Sequence, residues 1–199
     1  MNISAQMVKA LRTKTSAGMM DCKKALKATD GDIKKAIEYL RKKGMETASS
    51  KLNRKALNGI VGSYIHLYGK IGVLVEVNCE TDFVANTEEF KSFVKDLAMQ
   101  IAASNPKFIT REDVANDIIE KEKEIFYAQV DKSGKPAPII EKIVEGKLEK
   151  YFKENCLKEQ VFIRDNSKNI NQLLLELIAK LGENIVIKRF ARFQLGEET

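Results

Sequence analysis

The sequence predicts an α+β protein: a bundle of three short helices, then a small three-stranded antiparallel sheet with helices, and an antiparallel helical hairpin inserted into that second part. Three observations carry the prediction. Apolar residues recur with a helical period through the first 45 or so positions, the period switches to two at residues 61–77 and again at 184–193, and two highly charged helical segments flank a Gly/Pro-containing junction at 131–138.

The bundle is read element by element. Ser4 can cap a helix over 4–14, with Met7, Val8 and Leu11 on one face. After the break at 15–18 a second helix runs from about Met19 to Ala28, with Cys22, Ala25 and Leu26 inward. Asp30 or Asp32 caps a third, in which Ile33, Ala36, Ile37 and Leu40 share a face and Gly44 marks the end. Residues 1–46 therefore form one small domain, and the polar, basic stretch 47–57 reads as a linker to a core domain over 58–199.

In that core, Val61, Ser63, Ile65 and Leu67 alternate with Gly62, Tyr64 and His66, and Ile71, Val73, Val75 and Val77 form a second alternating set, so the two make a hairpin. A helix over 87–103 is predicted to be capped by Asn86 with Glu89, and shows Phe90, Val94, Leu97 and Ile101 as its stripe. Segments 112–130 and 138–155 are charged helices with a narrow seam of Ile118, Ile125, Ile140, Val144, Leu148 and Tyr151, which suits a projecting hairpin at about 112–155. A helix over 168–181 stops at Gly182, and the strand 184–193 joins the sheet. Three strands leave a sheet face to be covered by helices or by a second copy of the chain.

Charge is uneven. Residues 1–55 hold 14 Lys/Arg against 5 Asp/Glu, a balance of +9, whereas 56–199 hold 20 against 23, a balance of −3, giving the net +6. A basic module of this kind meets nucleic acid, a membrane surface or an acidic protein face. Tyr39 is its lone aromatic, which disfavours single-strand nucleic-acid recognition. No stretch approaches the roughly 18 apolar residues of a membrane span. The N-terminus lacks the apolar core of a secretory signal, and three widely spaced cysteines fit a reducing compartment, so the expected location is the cytoplasm.

Catalytic chemistry finds little footing. The Gly-Lys pairs at 69–70, 134–135 and 146–147 are followed by Ile, Pro and Leu, so no phosphate-binding loop of the GxxxxGK[ST] kind exists. One histidine, His66, and cysteines 22, 79 and 156 far apart in sequence make no metal cluster. A Cys79–His66 nucleophile pair is outweighed by a strand-end packing thiol and a polar-face histidine. The chain is expected to be no enzyme and to need no cofactor or metal.

Two features stand out from this background. Met19 and Met20 are adjacent on a helix, about 100° apart, so a small bundle cannot bury both fully. Thr81-Asp82-Phe83-Val84 puts an aromatic beside a carboxylate in a strand-to-helix connection, as a lid folded back on the sheet or as a contact for another protein.

These residues resemble the elongation factor Ts family. The stretch Leu11-Arg12-x-x-Thr15-x-Ala17-Gly18-Met19-Met20-Asp21-Cys22-Lys23-Lys24-Ala25-Leu26 resembles one family signature, and Glu76-x-Asn78-Cys79-Glu80-Thr81-Asp82-Phe83-Val84-Ala85 a second. The hairpin around Val144-Glu145-Gly146 and the ending Gly182-Glu183-Asn184-Ile185 fit as well. The match covers about residues 4–196 and departs at Ser16, where the family has glycine, and in offering one sheet-containing half where longer members carry two. The resemblance implies a guanine-nucleotide exchange factor for elongation factor Tu. The first bundle is then ubiquitin-associated-like and docks through Arg12, Met19 and Met20, and Thr81, Asp82, Phe83 and Val84 form the loop that disturbs Mg²⁺ in the partner. The short form also suggests a homodimer whose paired sheets replace the missing half, with no membrane and no direct nucleic-acid contact. The rival reading is an adaptor with the same bundle that bridges proteins or RNA without exchanging anything.

Overall fold

A computed structural model describes residues 3–15, 17–131 and 136–197. Ser16 and the Gly134 breaker lie outside the described residues. The chain divides into two compact units that do not follow chain order: one takes in the chain to Ile60, Asn78–Phe90 and Gln172–Val186, the other Val61–Val77, Lys91–Asn171 and the chain from Ile187 on.

In the first unit α1 (Ala5–Thr15), α2 (Met19–Ala28) and α3 (Ile33–Ser49) pack around Val8, Leu11, Cys22, Ala25, Leu26 and Ala36. Ser4 Oγ accepts from Met7 N at 3.3 Å, and Asp32 Oδ1 from Lys35 N at 3.1 Å, so both predicted side chains cap their helices. α2 ends with Asp30 in the left-handed region (φ 50°) and Gly31 N donating back to Leu26 O at 2.8 Å, a turn that closes off the last helical carbonyls. The predicted stop at Gly44 does not occur. α3 runs through it to Ser49, and Gly44 lies where a Cβ would come within 3.4 Å, ordinary van der Waals contact, of the Cβ of Ala179 on α8 (Ile170–Leu181). Glycine in a helix interior costs about 1 kcal/mol relative to alanine, too little by itself to end a helix of this length.

β1 (Asn58–His66), β2 (Ile71–Cys79) and β5 (Ile185–Gln194) form the three-stranded sheet, with β2 in the middle. Val73, Val75, Val77 and Cys79 are buried within the single chain. Of the two covers expected, helices or a second copy, this face takes the one supplied by the chain itself. In the second unit α5 (Glu88–Ser104) lies on it, and Gly62 is the point of closest approach: a Cβ there would sit 2.4 Å from Val94 Cγ1. The other face is the open one. Val61 and Ile65 are each 65% exposed, Leu74 and Phe193 also face solvent, and Ile65 Cδ1 reaches over Gly72. β1 thus turns its bulkier apolar set outward and its Gly62–Tyr64 set inward. α5 is capped by Thr87, whose hydroxyl accepts from Phe90 N at 3.3 Å, not by Asn86, whose amide donates to Asp82 O.

α6 (Asn116–Asp131) and α7 (Ala137–Asn155) form the predicted helical hairpin. Its seam uses Val130, Val144 and Phe152, and Phe126 rather than Ile125, which is 50% exposed. Phe126 lies four residues, one helical turn, before Val130 and so shares its face, whereas Ile125, five residues before it, turns away. Arg111 locks the hairpin base. Its guanidinium bonds Glu149 at 2.6 and 2.7 Å, pairs with Glu159, and lies 4.7 Å over the Phe152 ring. The two carboxylates push its pKa further up.

A second, two-stranded sheet, β3 (Val161–Phe162) with β4 (Asp165–Asn169), is not apparent from periodicity. It is held by a buried amide. Gln100 of α5 donates to Gln160 Oε1 and Val161 O, both at 3.2 Å, and accepts from Ile163 N at 2.9 Å. Buried polar groups satisfied in this way fix one arrangement of the elements around them.

The close approach at Gly62 makes a prediction. Gly62→Ala should cost about 1–3 kcal/mol of unfolding free energy in urea titration, the usual range for overpacking. Combined with Val94→Ala it should cost less than the sum of the two single losses; additive losses would show the contact is not tight.

Candidate functional site

The connection between β2 and α5 is built to hold its base and expose its tip. Thr81 sits in extended conformation (φ −129°, ψ 157°) and caps the short helix α4 (Asp82–Ala85), its hydroxyl accepting from Val84 N at 3.4 Å. Val84 and Ala85 point inward at 9% and 5% exposure, whereas Phe83 between Asp82 and Val84 is 82% exposed. The ring does not fold back onto the protein's own sheet. Asp82 is exposed beside it. In one helical turn successive residues diverge by about 100°, so burying Val84 turns Phe83 outward.

The base is gripped from a segment more than 100 residues away. Glu183, in the turn between α8 and β5, accepts from Glu80 N at 3.1 Å and Thr81 N at 3.0 Å through Oε2, and from the Thr81 hydroxyl at 2.6 Å through Oε1. The grip is reciprocal: Glu80 Oε1 accepts from Asn184 N at 2.7 Å. Asn184, 1% exposed, donates its side-chain amide to Leu52 O at 3.1 Å and Arg54 O at 2.7 Å, and Lys51 Nζ bonds Gly182 O. Arg54 lies 3.6 Å from Glu80 Oε2. Segment 51–54, which follows α3, is therefore fastened to the same turn. Gly182 itself takes φ 79°, the left-handed turn that lets the chain leave α8 at this point.

Cys79 adds a smaller tether. Its thiol donates to Thr81 O at 3.0 Å, and burial pushes its pKa up, which keeps the donor protonated. His66 is engaged elsewhere, stacked on Tyr64 with Tyr64 Oη 3.0 Å from its Nδ1. The two residues weighed as a nucleophile pair thus each have a partner of their own. Among the described residues no group of three His, Cys, Asp or Glu is placed to hold a metal ion, and no helix is long and apolar enough to cross a membrane.

The second set of residues lies on the bundle. Met19 and Met20 open α2 and are 57% and 65% exposed, and Arg12 is exposed in the last turn of α1. Neither methionine is core, since Cys22, Ala25 and Leu26 take those positions. Beside them Asp21 bonds Lys43 Nζ at 2.8 Å, which lowers its carboxyl pKa. Glu80, Glu183 and Asn184 were not singled out from sequence as loop supports. The signal available was their place within the two matched segments, Glu80 in the second signature and Glu183-Asn184 in the ending.

The fold thus presents an exposed aromatic on a clamped turn and an exposed methionine pair on a basic helical bundle. The profile of a family described as Elongation factor TS matches residues 1–197. Proteins named Elongation factor Ts are similar over nearly the whole chain: that of Caldanaerobacter subterraneus subsp. tengcongensis is 64% identical over 98% of each chain. Those of Thermoanaerobacter sp. strain X514 and Carboxydothermus hydrogenoformans are 62% and 60% identical over 98% of this chain and 96% and 90% of their own. The chain belongs to the elongation factor Ts family, and so to the factors of translation elongation.

The exposure of Phe83 makes a stability prediction. Phe83→Ala should change the unfolding free energy by no more than about 0.5 kcal/mol, as for surface positions generally. Val84→Ala should cost about 1–3 kcal/mol, as a buried truncation does. A large loss on Phe83→Ala in urea titration would mean that the ring serves the protein's own core.

Proposed function

We propose that this protein is a guanine-nucleotide exchange factor that binds elongation factor Tu, in its GDP-bound and nucleotide-free forms, and promotes GDP release so that GTP can bind. The observation that carries the reading is Phe83, 82% exposed on a turn whose Thr81 base is clamped and whose Val84 and Ala85 are buried. GDP is held in such a partner through phosphate contacts and Mg²⁺, whose octahedral geometry is strict. A ring inserted between elements that carry the metal's ligands displaces them, and burying it contributes about 2–3 kcal/mol toward that displacement. Binding and release are coupled reciprocally: a factor that weakens GDP is itself weakened by GDP. No covalent bond is made, so the site needs no nucleophile. In this reading the work belongs to the cytoplasm, where translation runs.

The docking domain is the helical bundle, which α3 extends past the predicted boundary at 46 to Ser49, followed by a connection to about 57 and the 58–199 core. Arg12, Met19 and Met20 are the anchors: all three are exposed, arginine is among the residue types enriched in interface hot spots, and methionine adapts readily to a partner surface. The core pairs with a second copy through the open sheet face of Val61, Ile65, Leu74 and Phe193, since exposed apolar faces of that kind mark an interface and closed twofold dimers are the commonest assembly.

Release of labelled GDP from elongation factor Tu tests the central claim. Catalytic amounts of this protein should accelerate it, and Phe83→Ala should lose about tenfold or more of that acceleration, the value of burying one aromatic ring. No acceleration by the unaltered protein would sink the exchange reading. In titration calorimetry the Arg12→Ala, Met20→Ala double variant should bind the partner more weakly; unchanged affinity would move the docking surface elsewhere. Light scattering across a concentration series should give twice 22.4 kDa for the free protein, and Ile65→Lys should return it to 22.4 kDa. A mass of 22.4 kDa for the unaltered protein at high concentration excludes a stable dimer.

A further inference from the structure

We propose that the turn Gly182-Glu183-Asn184 is a positioning device that sets the span between the docking helices and Phe83, so that the two contacts on the partner are made together. The proposal rests on the exchange reading and names the residues that make it geometrically possible. Phe83 sits on a helix of four residues, too short to hold a direction by itself. Its direction comes from Thr81, and Thr81 is oriented by Glu183, which engages its N–H and its hydroxyl at once. The same hydroxyl accepts from Val84 N, so Glu183, Thr81 and the first turn of α4 form one hydrogen-bonded chain.

On its other side the turn holds the segment that follows α3. Asn184 takes the carbonyls of Leu52 and Arg54, Lys51 reaches Gly182 O, and Arg54 returns to Glu80. α3 in turn lies against α8 at Gly44 and Ala179, and Arg41 comes within 3.9 Å of Glu176. The path from bundle to ring thus runs through a packing contact and part-buried hydrogen bonds, those to Glu183 and from Lys51 charge-assisted and so the stronger kind. A wedge that must meet metal-bearing elements of a docked partner loses most of its effect when misplaced by about 1 Å, a displacement worth up to about a hundredfold in rate. Glu183 is a positioning residue in this proposal: it acts through Thr81.

The test compares wild type, Glu183→Ala, Glu183→Gln and Phe83→Ala in stimulated release of labelled GDP from elongation factor Tu, each over a range of factor concentrations. Amide hydrogen exchange of residues 81–84 and thermal melting of the free proteins accompany it. Glu183→Ala should lower the maximal stimulated rate about tenfold or more while the half-saturating concentration stays near that of wild type, and the Thr81 amide should exchange faster. Glu183→Gln keeps the shape and one acceptor oxygen but turns an NH₂ toward the remaining donors, so its rate should fall between the two. If Glu183→Ala does not fold, the Gln variant decides: an intermediate rate with a faster-exchanging Thr81 amide supports the proposal, and a wild-type rate overturns it. A wild-type maximal rate in Glu183→Ala, or a change confined to half-saturation, also overturns it while the Phe83→Ala deficit leaves the exchange reading intact. If wild type does not stimulate release, the exchange reading falls and this proposal falls with it.

Discussion

One carboxylate organises the site. Glu183 satisfies two backbone N–H groups and a hydroxyl at the end of β2, where the chain leaves the sheet and its donors have no strand partner. A bond to an ionised acceptor contributes roughly 1.5–3 kcal/mol, about twice a neutral one. With three converging on one residue, the strand end, the cap of α4 and the inward turn of Val84 are set together. The exposure of Phe83 then follows without any contact of its own. A large apolar side chain left in water is unfavourable for the isolated protein, so its position has to be enforced by its neighbours, and the reciprocal pairing of Glu80 with Asn184 adds to that enforcement.

The same economy appears in how the two faces of the sheet are treated. Val73, Val75 and Val77 fill one face of β2 and are closed over within the chain, with Gly62 admitting the Val94 side chain. On the other face Val61, Ile65, Leu74 and Phe193 remain in water, although Glu76 and Arg189 pair across the same surface at 2.7 Å. The buried face stabilises the fold, and the proposed pairing of two copies draws only on the open one, so the two do not compete for the same residues. The helical hairpin is stabilised differently, by a narrow apolar seam and by the Arg111 fork at its base. Its long charged surface is left free, where single surface ion pairs such as Lys123–Glu120 add little.

Much of the fold was legible along the chain because helices and strands leave periodic marks. The phases of α1–α3, the alternation in β2 and β5, the charged hairpin and the caps at Ser4 and Asp32 are local properties, carried by spacing and by side chains within a few positions. The local reading failed where two neighbours offered the same chemistry. Asn86 and Thr87 are both competent caps, and the choice fell to Thr87 because Asn86 is drawn to Asp82 O. Ile125 and Phe126 both fit a seam, and the ring facing α7 took it.

Of the candidate site, the sequence by itself determined the identity of the tip: an aromatic in a strand-to-helix connection next to an aspartate, and a methionine pair that a small bundle could not bury. Only the tertiary structure decided which way those side chains face and what holds them. Thr81 and Glu183 are 102 residues apart, and Asn184 and Arg54 are 130 apart. A hydrogen bond between such positions creates no period, no composition bias and no spacing rule. It exists because the α8–β5 turn and the β2–α4 turn are brought side by side, and that juxtaposition is a property of the packed elements and not of any segment read alone.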